Sequence, residues 1–273
     1  MRLSQKVLNA IGRAVTTITP DVEEALKKAL KKESRALARL QLQTILKNVE
    51  LARKNKTPVC QDTGTPLFFV KLERNCNPGM IERELKQAVR LATNKGLLRP
   101  NMVDPLSRKN TGDNTGEGAP AIHFQKSRGK LRIIFVAKGA GSENCSALEM
   151  LDPSQGEAGI RQFVLKHVVS IGGKPCPPFV LGIGIGGTSE ECMLLSKKAS
   201  LRRIGSRNKN PRLAALEKRL EREVNSLGIG PMGLGGDTTV LAVNAESAEC
   251  HTGSLPVALN VLCWAKRVSE VKI

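Results

Sequence analysis

The spacing of apolar residues changes repeatedly along this chain, and this change constrains its fold more than any other feature. Leu3, Val7 and Ile11 recur at helical spacing near the amino terminus. Residues 67–72 instead form a short, nearly continuous apolar run that is typical of a buried strand. Because the two patterns are mixed along the whole chain, the sequence predicts an α+β fold.

Glycine and proline residues bound most of the predicted elements. Roughly the first 50 residues are predicted to be helical. Further helices are predicted at about residues 80–94, 157–169, 188–198 and 212–226. Strands are predicted at about residues 67–72, 131–137, 179–185, 239–244 and 256–262. We therefore predict a helical amino-terminal region and a sheet core, within a single domain over residues 1–273.

The chain is strongly basic, with 43 Lys and Arg against 25 Asp and Glu and a formal charge of +18. Such an excess would suit nucleic-acid binding. Most of it, however, lies in helical stretches interleaved with Glu, as at residues 23–28 and 217–222. Opposite charges three or four positions apart support a solvated helix face. We expect no nucleic-acid partner, and a basic nucleic-acid-binding protein is kept as a remote alternative.

Apolar runs in this chain are short, and none approaches the ~20 residues that a bilayer crossing requires. The amino terminus has neither the apolar segment nor the small-residue cleavage site of a secretory signal. The sequence therefore predicts a cytoplasmic protein with no membrane partner.

Two segments without a regular period attract attention. Residues 98–120 are rich in Asn, Gly, Pro, Asp and Thr, and a loop of this length usually has a function. Residues 182–187 have the pattern Gly-x-Gly-x-Gly-Gly after a predicted strand, which superficially resembles a dinucleotide-binding turn. The basic pair at residues 202–203 lies where an acidic residue would be expected, so we favour support of a ligand loop over NAD binding.

The chain has seven cysteines, an odd number that argues against a disulfide framework. Cys60 opens a polar turn directly before an apolar strand, and Cys176 is flanked by prolines that fix the backbone. Cys263 follows the predicted strand at residues 256–262. Three thiolates from distant segments would suit an iron–sulfur cluster with one iron free of protein ligands. Spacing alone does not select these three among the seven.

Six motifs, taken in order, resemble the class I iron–sulfur fumarate hydratases. They are Cys60-Gln61-Asp62-Thr63-Gly64, Asn110-Thr111-Gly112-Asp113-Asn114, Ala137-Lys138-Gly139-Ala140-Gly141-Ser142, Cys176-Pro177-Pro178 with Gly186-Gly187-Thr188, Gly228-Ile229-Gly230-Pro231 through Gly235-Gly236, and His251 with Cys263. The resemblance covers nearly the whole chain. It is closest to the alpha subunit of the two-subunit form, a family shared with the alpha subunit of L(+)-tartrate dehydratase.

The resemblance implies a 4Fe-4S cluster held by Cys60, Cys176 and Cys263 on loops of the sheet core. The fourth iron would act as a Lewis acid on a 2-hydroxy dicarboxylate. The implied activity is the reversible hydration of fumarate to L-malate, a reaction of the tricarboxylic acid cycle. Dehydration of L(+)-tartrate is the alternative, and a degenerate assembly subunit without catalysis is a further one.

The resemblance also assigns groups that bind the substrate. Gln61 and Asp62 would contact it beside the first cluster ligand, and Arg99 would bind a carboxylate. Arg108 competes with Arg99 for this role, because the loop between them differs in length among such proteins.

Two glycines and two catalytic groups complete the implied site. Gly139 and Gly141 would let backbone amides approach the other carboxylate. Asp62 and His251 would be the catalytic residues of this chain.

The family places the proton-abstracting threonine and further cationic contacts in a beta half. The resemblance therefore implies a beta subunit as the partner and a hetero-oligomer as the active form. We expect the isolated chain to bind the cluster but to turn over poorly.

Overall fold

The computed structural model describes residues 1–74 and 76–273. Its helices are α1 (Leu3–Thr16), α2 (Pro20–Lys32), α3 (Ala36–Asn55), α4 (Pro78–Asn94), α5 (Ala140–Glu143), α6 (Gly156–Ile171), α7 (Ser189–Leu201) and α8 (Pro211–Ser226). Its strands are β1 (Thr65–Leu72), β2 (Ala121–Lys126), β3 (Arg132–Lys138), β4 (Ala147–Leu151), β5 (Phe179–Ile185), β6 (Val240–Ser247), β7 (Leu255–Leu262) and β8 (Val268–Lys272). None of these helices has both the length and the apolar character of a membrane span.

Two compact units divide the chain. The first consists of Met1–Thr19, Asn48–Ala140 and Arg267–Ile273, and the second of Pro20–Lys47 and Gly141–Lys266. Each unit contains helices and a four-stranded sheet, which confirms the α+β prediction. The helical amino-terminal region is also confirmed, by α1, α2 and α3. That both units form one catalytic domain over residues 1–273 stays a prediction.

The first unit is built on a mixed sheet with strand order β2-β1-β3-β8. Strand β1 is parallel to β2 and antiparallel to β3, which is antiparallel to β8. Helices α1 and α4 pack together, and α1 also packs on β3 and β8. Thr65 pairs with Lys138, and Val136 pairs with Val268. The segment before β1, the segment after β3 and the segment before β8 therefore lie next to one another, at the same end of the strands.

The second unit has strand order β4-β7-β5-β6, with β5 parallel to β6 and antiparallel to β7. Helix α7 packs on β5, β6 and β7. Because side chains alternate along a strand, Leu181 and Ile183 point to the other face, where they share a core with residues of α6 and α8. Val180 pairs with Leu262, so the segment before β5 lies beside the segment after β7. These are the segments of Cys176 and Cys263.

Candidate active site

The Cys60–Gly64 turn lies at the end of the first sheet where β1 begins. The carboxylate of Asp62 accepts hydrogen bonds from the N–H of Gly64 at 2.9 Å and of Ala140 at 2.8 Å. A Cβ on Gly64 would lie 2.7 Å from the carbonyl carbon of Ala137, so the turn is pressed onto β3 and tolerates only glycine there. Cys60 is a half-buried free thiol in this turn. The turn therefore presents a thiol and a rigidly oriented carboxylate together.

Gly139 follows β3 and faces the same turn. A Cβ at this position would lie 3.0 Å from Oδ2 of Asp62 and 2.9 Å from Nη2 of Arg267. The absence of a side chain at Gly139 thus leaves room for a carboxylate and a guanidinium. The contact of Gly139 with a substrate carboxylate stays a prediction.

Arg99 and Arg108 differ in their relation to this turn. The backbone N–H of Arg99 donates to Oγ1 of Thr63 at 2.8 Å, and its Nη1 donates to the carbonyl oxygen of Gln61 at 3.4 Å. Arg108 is exposed, and its backbone N–H bonds the carbonyl oxygen of Asp104. Of the two arginines, Arg99 is the one that contacts residues 61–63.

Asn114 organises the loop that carries Arg99, and sequence reasoning gave it no role. Its side chain is fully buried, and its Nδ2 donates to the carbonyl oxygen of Arg99 at 2.8 Å and to Oγ1 of Thr93 at 3.0 Å. Its Oδ1 accepts from the N–H groups of Asn101 and Met102. One amide thus fixes residues 99–102. The available signal was its place at the end of a long, Asn-rich loop.

Arg267 is a second residue that sequence reasoning missed. It is buried, with 3% relative exposure, and its Nη1 donates to the carbonyl oxygen of Asp62. The signal was a pair of cations, Lys266 and Arg267, that follows an apolar strand and precedes the final short strand.

In the second unit the segments of Cys176 and Cys263 are in contact. The carbonyl oxygen of Cys176 accepts from the N–H of Trp264 at 3.4 Å, and the N–H of Cys263 donates to Oγ of Ser142 at 3.2 Å. Both cysteines are half-buried. Cys176 has a φ of +55°, which the bonded turn around it maintains. The sheet register therefore brings together the segments that carry two of the three predicted ligands.

The glycine-rich segment 228–236 supports this pair. The N–H of Met232 donates to the carbonyl oxygen of Pro177 at 2.8 Å. A Cβ on Gly233 would lie 2.6 Å from the Cα of Gly173, so the two backbones are in direct contact. The segment buttresses the turn of Cys176.

Gly141 and His251 also lie in the second unit. A Cβ on Gly141 would lie 3.1 Å from the carbonyl oxygen of Lys174, two residues before Cys176. His251 is exposed between β6 and β7, and its Nδ1 accepts from the N–H of Gly253 at 3.0 Å. That bond leaves Nε2 as the nitrogen that faces away from the turn's own backbone. The roles of both residues stay predictions.

The remaining cysteines have different surroundings. Cys145 and Cys192 are buried, and burial raises the pKa of the Cys192 thiol to about 11. Such a thiol resists the deprotonation that iron binding requires. Cys250 is exposed, and Cys76 packs against the core of the first unit. Half-burial therefore favours Cys60, Cys176 and Cys263 over most of the others.

Three cysteine thiols form the candidate donor set for an iron–sulfur cluster. Within either unit, no three His, Cys, Asp or Glu side chains among residues 1–74 and 76–273 are placed to hold a metal ion. Cys176 and Cys263 come from adjoining segments of the second unit, and Cys60 comes from the turn before β1 in the first unit. All three are half-buried, and thiolates are the ligands that such clusters take. The three residues therefore match the cluster in the chemistry of their side chains.

Comparison with known proteins decides the family. The model of the family described as fumarate hydratase (Fumerase) matches residues 4–272. The chain belongs to this family.

Its relatives within the fumarate hydratase family include subunits with other names. A protein of Methanocaldococcus jannaschii named "Putative L(+)-tartrate dehydratase subunit alpha" is 46% identical over 100% of this chain and 99% of its own length. The L(+)-tartrate dehydratase subunit alpha of Escherichia coli strain K12 is 37% identical over 97% of this chain and 89% of its own length. The L(+)-tartrate dehydratase subunit alpha of Escherichia coli strain UTI89 is 36% identical over 100% of this chain and 91% of its own length. The chain is thus a hydro-lyase of the fumarate hydratase and tartrate dehydratase alpha family.

Proposed function

We propose that this chain is the cluster-binding alpha subunit of a fumarate hydratase, which interconverts fumarate and L-malate. One observation carries the proposal. The Asp62 carboxylate is fixed by two backbone amides in the turn of Cys60, and Arg99 lies against the same turn. This turn carries a thiol and a carboxylate, and an exposed guanidinium lies against it. Such groups suit the binding of a dicarboxylate beside a metal.

Cys60, Cys176 and Cys263 would hold the 4Fe-4S cluster, which when bound supplies a Lewis acid to a substrate oxygen. Arg99 binds one substrate carboxylate with its planar guanidinium, and Gln61 contacts the substrate next to it. The backbone at Gly139 and Gly141 presents N–H groups to the other carboxylate.

The proton chemistry of this chain is assigned to two residues. Asp62 keeps one orientation because the amides of Gly64 and Ala140 hold both its oxygens. His251, exposed on its turn, is the second catalytic residue that we assign to this chain.

A beta subunit is proposed as the partner in a hetero-oligomer. The relatives named above are called alpha subunits, which supports a division of the enzyme between chains. The partner would supply the base that abstracts the substrate proton.

Dehydration of L(+)-tartrate is a second candidate, because the names of the relatives favour it. Tartrate has one hydroxyl more than malate, and a few polar contacts decide between such substrates.

The test uses the chain co-purified with a beta subunit of the family under anaerobic conditions. Fumarate hydration and L(+)-tartrate dehydration are measured on the same preparation. We expect turnover of fumarate by the complex and poor turnover by the chain alone. Turnover of tartrate alone would select the second candidate, and full activity of the isolated chain would contradict the division between subunits. An inactive complex with an intact cluster would contradict both candidates.

A further inference from the structure

Arg267 lies in the first unit, immediately before β8. Its backbone carbonyl accepts from the N–H of Ala137 at the end of β3, and its side chain turns towards the Cys60–Gly64 turn. Nη1 donates to the carbonyl oxygen of Asp62, and Nη2 lies beside Gly139. The guanidinium therefore contacts the two segments that bound the proposed active site in this unit.

We propose that Arg267 is a positioning residue, which locks the Cys60–Gly64 turn and so fixes the Asp62 carboxylate. This inference rests on the proposed function only for the catalytic role of Asp62. The locking of the turn is a property of the fold.

The geometry at Gly139 links the two charged groups. One point, the position of a Cβ on Gly139, lies 3.0 Å from Oδ2 of Asp62 and 2.9 Å from Nη2 of Arg267. A cation and an anion thus face the same small space beside one backbone. Because both atoms lie close to this one point, the opposite charges attract, and the attraction is stronger where the groups are shielded from water.

Burial argues for a specific role. A buried guanidinium is costly unless it is paired, and Nε of Arg267 has no hydrogen-bond partner among the residues that the structure describes. Holding this cation next to Asp62 offsets part of that cost. With 3% relative exposure, Arg267 offers almost no surface to a small ligand, so it acts through Asp62 and not on the substrate.

The experiment compares Arg267→Met and Arg267→Lys with the control Arg132→Met. Arg132 lies on β3 in the same unit, and its guanidinium pairs with Glu270 of β8 at 3.1 Å. The first readout is amide hydrogen exchange at Gly64 and Ala140, whose N–H groups bond the Asp62 carboxylate. It is measured on the full chain without a cluster, together with the melting temperature. The second readout is the steady-state kinetics of the assembled enzyme.

In Arg267→Met, we expect exchange at both amides to accelerate by about 10-fold or more, because the turn opens locally. In Arg132→Met, exchange at these amides should stay as in the wild type. The kcat of Arg267→Met should fall by about 10- to 100-fold with KM changed less than about 3-fold, since a misplaced catalytic group affects the reacting step. The exchange rates and the kcat of Arg267→Lys should lie between those of Arg267→Met and those of the wild type. The lysine keeps the positive charge but lacks the planar guanidinium.

Wild-type exchange at Gly64 and Ala140 in a folded Arg267→Met would overturn the proposal. If that variant does not fold, the same result in Arg267→Lys would overturn it. If the wild-type complex lacks hydro-lyase activity, the proposed function fails, and the exchange rates still decide whether Arg267 locks the turn.

Discussion

At the residue scale, the buried amide of Asn114 determines where Arg99 can lie. Asn114→Asp keeps the shape but replaces the donor Nδ2, so the carbonyl oxygen of Arg99 would lose its bond and face a carboxylate. Leaving buried partners unpaired costs about 1–3 kcal/mol. We expect Asn114→Asp to lower the free energy of unfolding by that amount.

The same change should raise the KM for the dicarboxylate by about 10-fold, if Arg99 binds its carboxylate, because its supporting backbone is released. Urea unfolding and initial rates measure the two effects. Arg108→Ala, in the same loop but exposed, is the control and should change neither. A KM that rises in Arg108→Ala and not in Asn114→Asp would show that Arg108, and not Arg99, binds the substrate carboxylate.

Local sequence identified the Cys60–Gly64 turn, because polar residues and a glycine directly before an apolar strand define such a turn. It did not identify Arg267, whose bond to Asp62 joins positions 205 residues apart. Contacts of that span depend on sheet register, which a single sequence does not reveal.

At the element scale, two glycines of β5 set the distance to α7. A Cβ on Gly184 would lie 2.0 Å from the carbonyl oxygen of Cys192, and one on Gly182 would lie 2.1 Å from that of Ser196. The first two glycines of the pattern at residues 182–187 thus serve helix–strand packing, and support of a ligand loop by this pattern stays a prediction. We expect Gly184→Ala to destabilise the protein by about 3 kcal/mol or more.

Gly12→Ala is the matched control for this prediction. Gly12 lies inside α1, and a Cβ there would make an ordinary 3.6 Å contact with Leu97. Alanine favours the helix by about 0.5–1 kcal/mol over glycine, so this variant should be more stable than the wild type. Urea unfolding, monitored by the fluorescence of the single tryptophan, measures the stability of both variants. Equal stability of the two variants would contradict the packing argument.

The predicted strands with strong apolar runs were confirmed as β1, β3, β5, β6 and β7. Strands β2, β4 and β8 were not predicted. All three lie at sheet edges, where exposed positions take polar residues and the apolar pattern weakens. Edge strands are therefore the elements that periodicity reveals least.

At the scale of the whole molecule, one buried cation should shape the pH dependence of stability. Lys266 is buried, lies 3.8 Å from Asp21, and donates to the carbonyl oxygen of Arg202. Burial lowers the pKa of Lys266 to about 8, from 10.5, and Asp21 opposes this effect. Between these values the unfolded chain binds the proton and the folded chain does not, so stability from this group rises with pH.

The expected gain between pH 8 and pH 10.5 is about 3 kcal/mol at most. Other groups titrate in this range, and the raised pKa of Cys192 acts in the opposite direction. The measured quantity is therefore the free energy of unfolding of the wild type minus that of Lys266→Met, at each pH. A difference that does not rise with pH would contradict this account of Lys266.

The central claim, that Cys60, Cys176 and Cys263 hold a cluster, is tested most directly by anaerobic reconstitution with ferrous iron and sulfide. Iron, sulfide and visible absorption are measured on the wild type, on Cys176→Ser and on the buried control Cys192→Ala. We expect about four iron and four sulfide per chain in the wild type and the control, and loss of the cluster in Cys176→Ser. A colourless wild type, or an unchanged cluster in Cys176→Ser, would contradict the claim.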